Sequence, residues 1–128
     1  MKIKILLFLT FLIAGCAQQQ YSPEELISAN IKAAQEEDAE TRWSFASKAT
    51  QQKMLEKSSK EKVFEKLRYE AFMYKLIKSW ETEILSQTED KASVLWKYKM
   101  FDPHSNKIIS DKSTIKLVKE DGFWKIDK

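Results

Sequence analysis

The sequence predicts an α+β fold in which N-terminal helices pack on a curved antiparallel sheet of about four strands. Three observations predict it. Apolar residues recur at helical spacing from Leu26 to Tyr74, then at alternating spacing along the C-terminal third. Helices come first and strands follow without a return, the order of a segregated α+β domain. Glycine occurs only at Gly15 and Gly122, and Asp121-Gly122 marks a tight hairpin between two apolar segments.

The first helix is the best specified. Ser22-Pro23-Glu24-Glu25 supplies Ser at the N-cap, Pro at the first helical position and Glu three residues after the cap, a capping box. Tyr21 and Leu26 are placed to form a hydrophobic staple. Leu26, Asn30 and Ala33, with Ile27, Ile31 and Ala34, mark one broad face. Glu36-Glu37-Asp38 ends the helix, and Asp38 caps a short second one carrying Trp43, Phe45 and Ala46. A third short turn spans Gln51–Glu56 and offers Met54 and Leu55. Ser58 with Glu61 is expected as another capping box, before a helix striped by Val63, Phe64, Leu67, Ala71 and Tyr74 and ending near Met73.

From there the period changes to two. Trp80–Leu85 reads as a strand, and Gln87–Asp90 as a polar turn. Ala92, Val94, Trp96, Tyr98 and Met100 then alternate with Ser93, Leu95, Lys97, Lys99 and Phe101, giving a strand with one well-buried face. Asp102-Pro103-His104-Ser105-Asn106 is turn-rich. Ile108–Val118 returns as a long strand, and Phe123–Ile126 closes the meander.

The N-terminus carries a different signal. Lys2 and Lys4 precede an apolar run from Ile5 to Ala14, broken only by Thr10 and ending at Gly15-Cys16. Such a run is too short to span a bilayer as a mature helix and reads as a secretory signal peptide. Ile13-Ala14-Gly15-Cys16 resembles a bacterial lipobox, which implies cleavage between Gly15 and Cys16 and lipidation of Cys16. The expected organisation is residues 1–15 signal peptide, 16–21 lipidated cysteine and tether, and 22–128 a single domain. Ala17–Tyr21 reaches only about 17 Å when fully extended, which would hold the domain close to its membrane. Two or three acyl chains, the usual complement of such lipoproteins, anchor firmly where one does not. Ala17 after the cysteine points to the outer membrane, with the outer face of the cytoplasmic membrane as the alternative.

Composition removes several classes. Without residues 1–15 the chain has 20 basic and 19 acidic residues, so no nucleic-acid footprint is expected. Cys16 is the sole cysteine, so a domain from residue 22 on has no disulfide, thiol nucleophile or cysteine metal site. No His/Asp/Glu cluster has metal spacing, and two glycines cannot build a phosphate loop. Neither metal nor cofactor is expected. Lys57–Lys66 also holds Glu61 and Glu65 and reads as a solvated helix face.

The capped first helix, the Glu-Glu-Asp and Trp-bearing second helix, Lys91-Ala92-Ser93-Val94 and the ending Lys119-Glu120-Asp121-Gly122-Phe123-Trp124-Lys125-Ile126-Asp127 together resemble the nuclear transport factor 2-like superfamily, in particular its small bacterial lipoproteins. The resemblance implies a bent sheet wrapped around helices, with a pocket at the open end of a cone. By alternation, Trp96, Tyr98 and Met100 with Ile115 and Leu117 are the candidate pocket lining. Enzymes of the superfamily use an acid–base pair inside the cone. Here the single histidine, His104, lies in a turn, and Asp102 is explained by turn chemistry, its side chain bonding the backbone two residues on. The expected function is therefore a non-catalytic, lipid-anchored envelope module binding a protein or an apolar small molecule. The alternatives are an isomerase- or cyclase-like enzyme with Tyr98 as acid, and an envelope immunity or exclusion lipoprotein.

Overall fold

The computed structural model describes residues 19–128, so the expected signal peptide, the expected cleavage and lipidation at Gly15-Cys16, and the start of the expected tether lie outside the described residues. Among the described residues four helices, α1 (Pro23–Gln35), α2 (Ala39–Phe45), α3 (Lys48–Lys57) and α4 (Lys60–Lys75), precede four strands, β1 (Ile77–Gln87), β2 (Lys91–Asp102), β3 (Lys107–Glu120) and β4 (Phe123–Ile126). The strands form one antiparallel sheet in the order β1-β2-β3-β4. The fold class is the α+β arrangement that the sequence predicts.

Local chemistry sets the helix starts. Ser22 Oγ accepts from Glu25 N at 3.2 Å while Ser22 N donates to Glu25 Oε1 at 3.0 Å, the reciprocal capping box. This backbone bond and the Ser22 hydroxyl hold the Glu25 pKa below the usual carboxylate range. At the other end of α1, Asp38 N reaches Ala33 O and Glu37 N reaches Ala34 O, with Glu37 in left-handed conformation at φ 60°. That is a Schellman closure made without glycine. Asp38 then caps α2 by accepting from Thr41 N at 3.1 Å. Asp121 and Gly122 both take positive φ, 52° and 83°, as a two-residue hairpin of the mirror-image type requires.

Three boundaries differ from the sequence reading. The expected turn at Gln51–Glu56 is the full helix α3, started by Ser47, whose Oγ accepts from Thr50 N and donates to Asp127 Oδ1 at 2.7 Å. Its sequence carries almost no apolar stripe, and only Thr50 is buried. Contacts with the chain's C-terminus fix it instead: Ser47 N bonds Ile126 O, and Thr50 Oγ1 accepts from Lys128 N. Consequently Ser58 closes α3, and Ser59 is the cap of α4, accepting from Lys62 N. Helix α4 also runs past Met73 to Lys75, and β1 begins at Ile77, so helix and strand meet at Leu76 with no loop.

The core has two parts. Leu26, Ile27 and Ile31 of α1 meet Phe45, Ala92, Val94, Leu117, Trp124 and Ile126 in the main cluster, with Tyr21, Tyr74, Trp80, Trp96 and Ile115 packed around it. Tyr21 meets Phe45 edge-on at 5.6 Å. A smaller cluster of Ala39, Val63 and Leu67 lies between α2 and α4, flanked by Trp43, Met54 and Phe64. Helix α1 is fixed along β1 by Trp80 Nε1 to Ser28 Oγ (3.1 Å) and Thr82 Oγ1 to Glu24 Oε2 (2.8 Å). Among the described residues, no helix is long and apolar enough to cross a membrane.

Candidate functional site

The face of β2 that meets the helices carries an aromatic ladder. Tyr74 of α4 stacks on Trp96 with centroids 6.2 Å apart and planes 9° from parallel, and Trp96 lies 4.2 Å from Tyr98. Behind Tyr74 sits Arg42, 6 % exposed, its guanidinium 4.8 Å from the ring centroid. Arg42 Nε donates to Asn30 Oδ1, Nη1 to Leu67 O and Glu70 Oε2, and Nη2 to the Tyr74 hydroxyl. One side chain of α2 thus ties α1 to α4. At the far end of the ladder the Tyr98 hydroxyl donates to Asp111 Oδ2 at 3.3 Å.

These surroundings shift both tyrosines the same way. Burial raises the Tyr74 pKa, with Arg42 opposing and Glu70 reinforcing. Burial, and then the Asp111 carboxylate, raise that of Tyr98. A tyrosine pushed above its ordinary value near 10 is a weaker proton donor at neutral pH. The folded state therefore favours neutral Tyr74. Its contribution to stability is present in full below pH about 10 and is lost as pH rises through the folded-state pKa. In urea unfolding between about pH 8 and 12, Tyr74→Phe should lose stability less steeply than the wild type. Parallel curves would contradict the shift.

The exposed part of the sheet holds an open trough of about 660 Å³. Its walls are three consecutive cross-strand rows of β1, β2 and β3: Ser79–Lys99–Ser110, Trp80–Tyr98–Asp111 and Glu81–Lys97–Lys112. Adjacent rows point to opposite faces of a sheet, so both faces contribute to this part of the molecule. Three lysines stand here against two carboxylates.

Of the residues expected to line a pocket, Tyr98 is a trough wall. Trp96 lies deeper, against Tyr74 and the core, with its Nε1 buried and, among the described residues, without a partner. Met100 is half-buried one row group further out, opposite Ile77 and Ile109. Ile115 packs on the main core, and Leu117 is 1 % exposed within it, so Leu117 is a core residue and not a pocket wall. The physical reason is that alternation reports only the face of a strand. Leu117 sits where Leu26, Ile27 and Ile31 of α1 and Phe45 of α2 cover that face, whereas Tyr98 lies beyond that cluster.

Asp102 behaves as its turn predicts: Oδ1 accepts from His104 N at 3.0 Å and Oδ2 from Ser105 Oγ at 2.9 Å. The Ser105 and His104 bonds hold its carboxyl below the usual range. His104 itself is exposed. Among the described residues no group of three His, Cys, Asp or Glu side chains could hold a metal ion. Arg42, Glu70 and Asp111 escape the sequence reading. The available signal for Arg42 was its place three residues from both Ala39 and Phe45, on the buried stripe of α2.

No protein-family profile matches the sequence, and a search of curated proteins finds no match. Solved structures do match. A crystal structure from Campylobacter jejuni, provisionally named an NTF2-like transpeptidase, superposes with a TM-score of 0.58 at 17 % identity, covering 84 % of this chain and 99 % of that one. The likeness shows an NTF2-like fold.

Proposed function

We propose that this NTF2-like chain is a lipid-anchored, non-catalytic binding module of the bacterial envelope, with the β1–β3 trough as its docking surface for a partner protein. The observation that carries the reading is the trough itself, an open, mixed-charge concavity on exposed strand rows. A concavity this open, with charged residues on both faces of the strands that form it, suits a polar surface better than a small apolar ligand, which needs a largely enclosed apolar pocket. The anchor rests on the Ala14-Gly15-Cys16 sequence.

The groups that proton-transfer chemistry would require support a non-catalytic role. Glu70 and Tyr74 are held by Arg42, and Tyr98 is tuned away from acidity at neutral pH. The name of the C. jejuni structure raises peptide transfer, which needs an activated nucleophile beside a base. Here the buried hydroxyls Ser47 and Thr50 serve the α3 cap and the C-terminus.

Two measurements test the reading. A palmitate analogue should label the wild type, while Cys16→Ser should lose both label and membrane retention. A photo-crosslinking residue at Lys99 or Ser110 should give discrete protein adducts in the envelope that the same residue at Gln52, on exposed α3, does not. Label persisting in Cys16→Ser would remove the anchor. Equal adducts from all three positions would remove the trough as the docking surface.

A further inference from the structure

We infer that the outer edge of β3, Lys107–Ile115, takes up an extended acidic segment of a partner protein as a fifth strand of the sheet. The inference rests on the binding-module reading and adds the mode of docking and the chemistry of the partner.

The edge exists because β4 is short. Strand β4 pairs with β3 only over Leu117–Glu120, and Asp127 N takes the Lys116 carbonyl. Residues Lys107–Ile115 therefore have β2 on one side and, among the described residues, no strand on the other. All of them are exposed except Ile115, which is half-buried. At roughly 3.3 Å per residue the free edge is about 30 Å long. Every second residue along it turns its backbone N–H and C=O outward, the template used when an extended peptide adds to a sheet. The middle of this edge, Ser110–Lys112, is also the β3 wall of the trough, so an added strand would lie along the docking surface.

Charge selects the occupant. Ser110, Lys112, Thr114 and Lys116 share one face of β3, and Lys97 and Lys99 lie beside them on β2 in the same rows. Glutamate or aspartate at alternate positions of an added strand would lie opposite Lys112 as a cross-strand pair, and the one opposite Thr114 would lie diagonal to both Lys112 and Lys116. Asp111 does not oppose this, because it lies on the other face, where the Tyr98 hydroxyl engages its carboxylate. A second copy fits less well. Antiparallel pairing of β3 with itself about Asp111 or about Lys112 sets like charges directly opposite, and lysines so placed protect a natural edge from self-pairing. The same lysines that repel a second copy favour an acidic strand. A bilayer is excluded at this edge, since unpaired backbone groups do not enter hydrocarbon.

The test uses the full chain and two synthetic peptides of about seven residues, one alternating glutamate with valine and the other lysine with valine. Hydrogen exchange read by mass spectrometry should slow over Lys107–Ile115 with the glutamate peptide and stay unchanged in α1–α4. The lysine peptide should leave β3 unchanged. Lys112→Glu with Lys116→Glu, both exposed and checked by an unchanged melting curve, should weaken the glutamate peptide by roughly tenfold or more and create affinity for the lysine peptide. Equal protection by both peptides, protection elsewhere, or β3 protection that rises with protein concentration alone would overturn the inference. Should trough crosslinks form while both peptides fail, the binding-module reading stands and strand addition falls. Absence of both removes both.

Discussion

Arg42→Ala is expected to lower the unfolding free energy by about 3 kcal/mol, the low end of the cost of breaking a buried ion pair. The low end applies because Glu70 keeps a third of its side chain exposed and can be hydrated once abandoned. The remaining loss comes from Leu67 O, which loses a donor in a buried setting, from Asn30 Oδ1 and the Tyr74 hydroxyl, which lose one in a part-buried setting, and from the cation over the Tyr74 ring. For a domain near 100 residues this corresponds to a fall in melting temperature of roughly 15 °C. Arg42→Met separates volume from polarity. It restores the packing of the stem but none of the four bonds, so it should recover only a minor part of the loss. Full recovery in the methionine variant would show that Arg42 acts as a spacer, and the account of a polar lock between α1, α2 and α4 would be wrong.

Trp124→Ala is expected to cost about 3–5 kcal/mol, the range for truncating a buried aromatic. Trp124 is 9 % exposed in the main core, and Lys119 lies 5.4 Å from its ring centroid on the partner strand. Strand β4 has only four residues, so no other side chain but Ile126 anchors it inward. Its loss should also loosen what β4 holds: the Ser47 N to Ile126 O bond and the Ser47 to Asp127 bond that start α3. Urea unfolding measures the cost, and hydrogen exchange should show α3 amides losing protection together with β4. An unchanged midpoint would mean that the hairpin at Asp121-Gly122 is not anchored by its tryptophan.

Much of the fold is written locally, and those parts are legible in the sequence. The Ser22–Glu25 box, the Asp38 cap and the Asp121-Gly122 turn each depend on residues within three positions of one another. The alternation of Ala92 to Met100 likewise names the inner face of β2 before any partner is known. The change of period near residue 77 is enough to separate a helical half from a meander, and hence to give the α+β class.

What the sequence alone could not decide depends on residues far apart along the chain. Helix α3 has too weak a stripe to declare itself, and it forms because Ser47 and Thr50 bond the C-terminal residues Ile126, Asp127 and Lys128. Arg42 reads as a solvated charge on a short helix until α1 and α4 close around it. Leu117 and Tyr98 have the same alternation, yet one is core and the other a trough wall, because α1 and α2 cover only part of the sheet. The free edge of β3 is a difference in strand length between β3 and β4, visible only once their pairing is known. Local hydrogen bonds and periodicity are short-range and can be read along the chain. Burial, ion pairing and exposed edges are properties of neighbours that only the folded chain brings together.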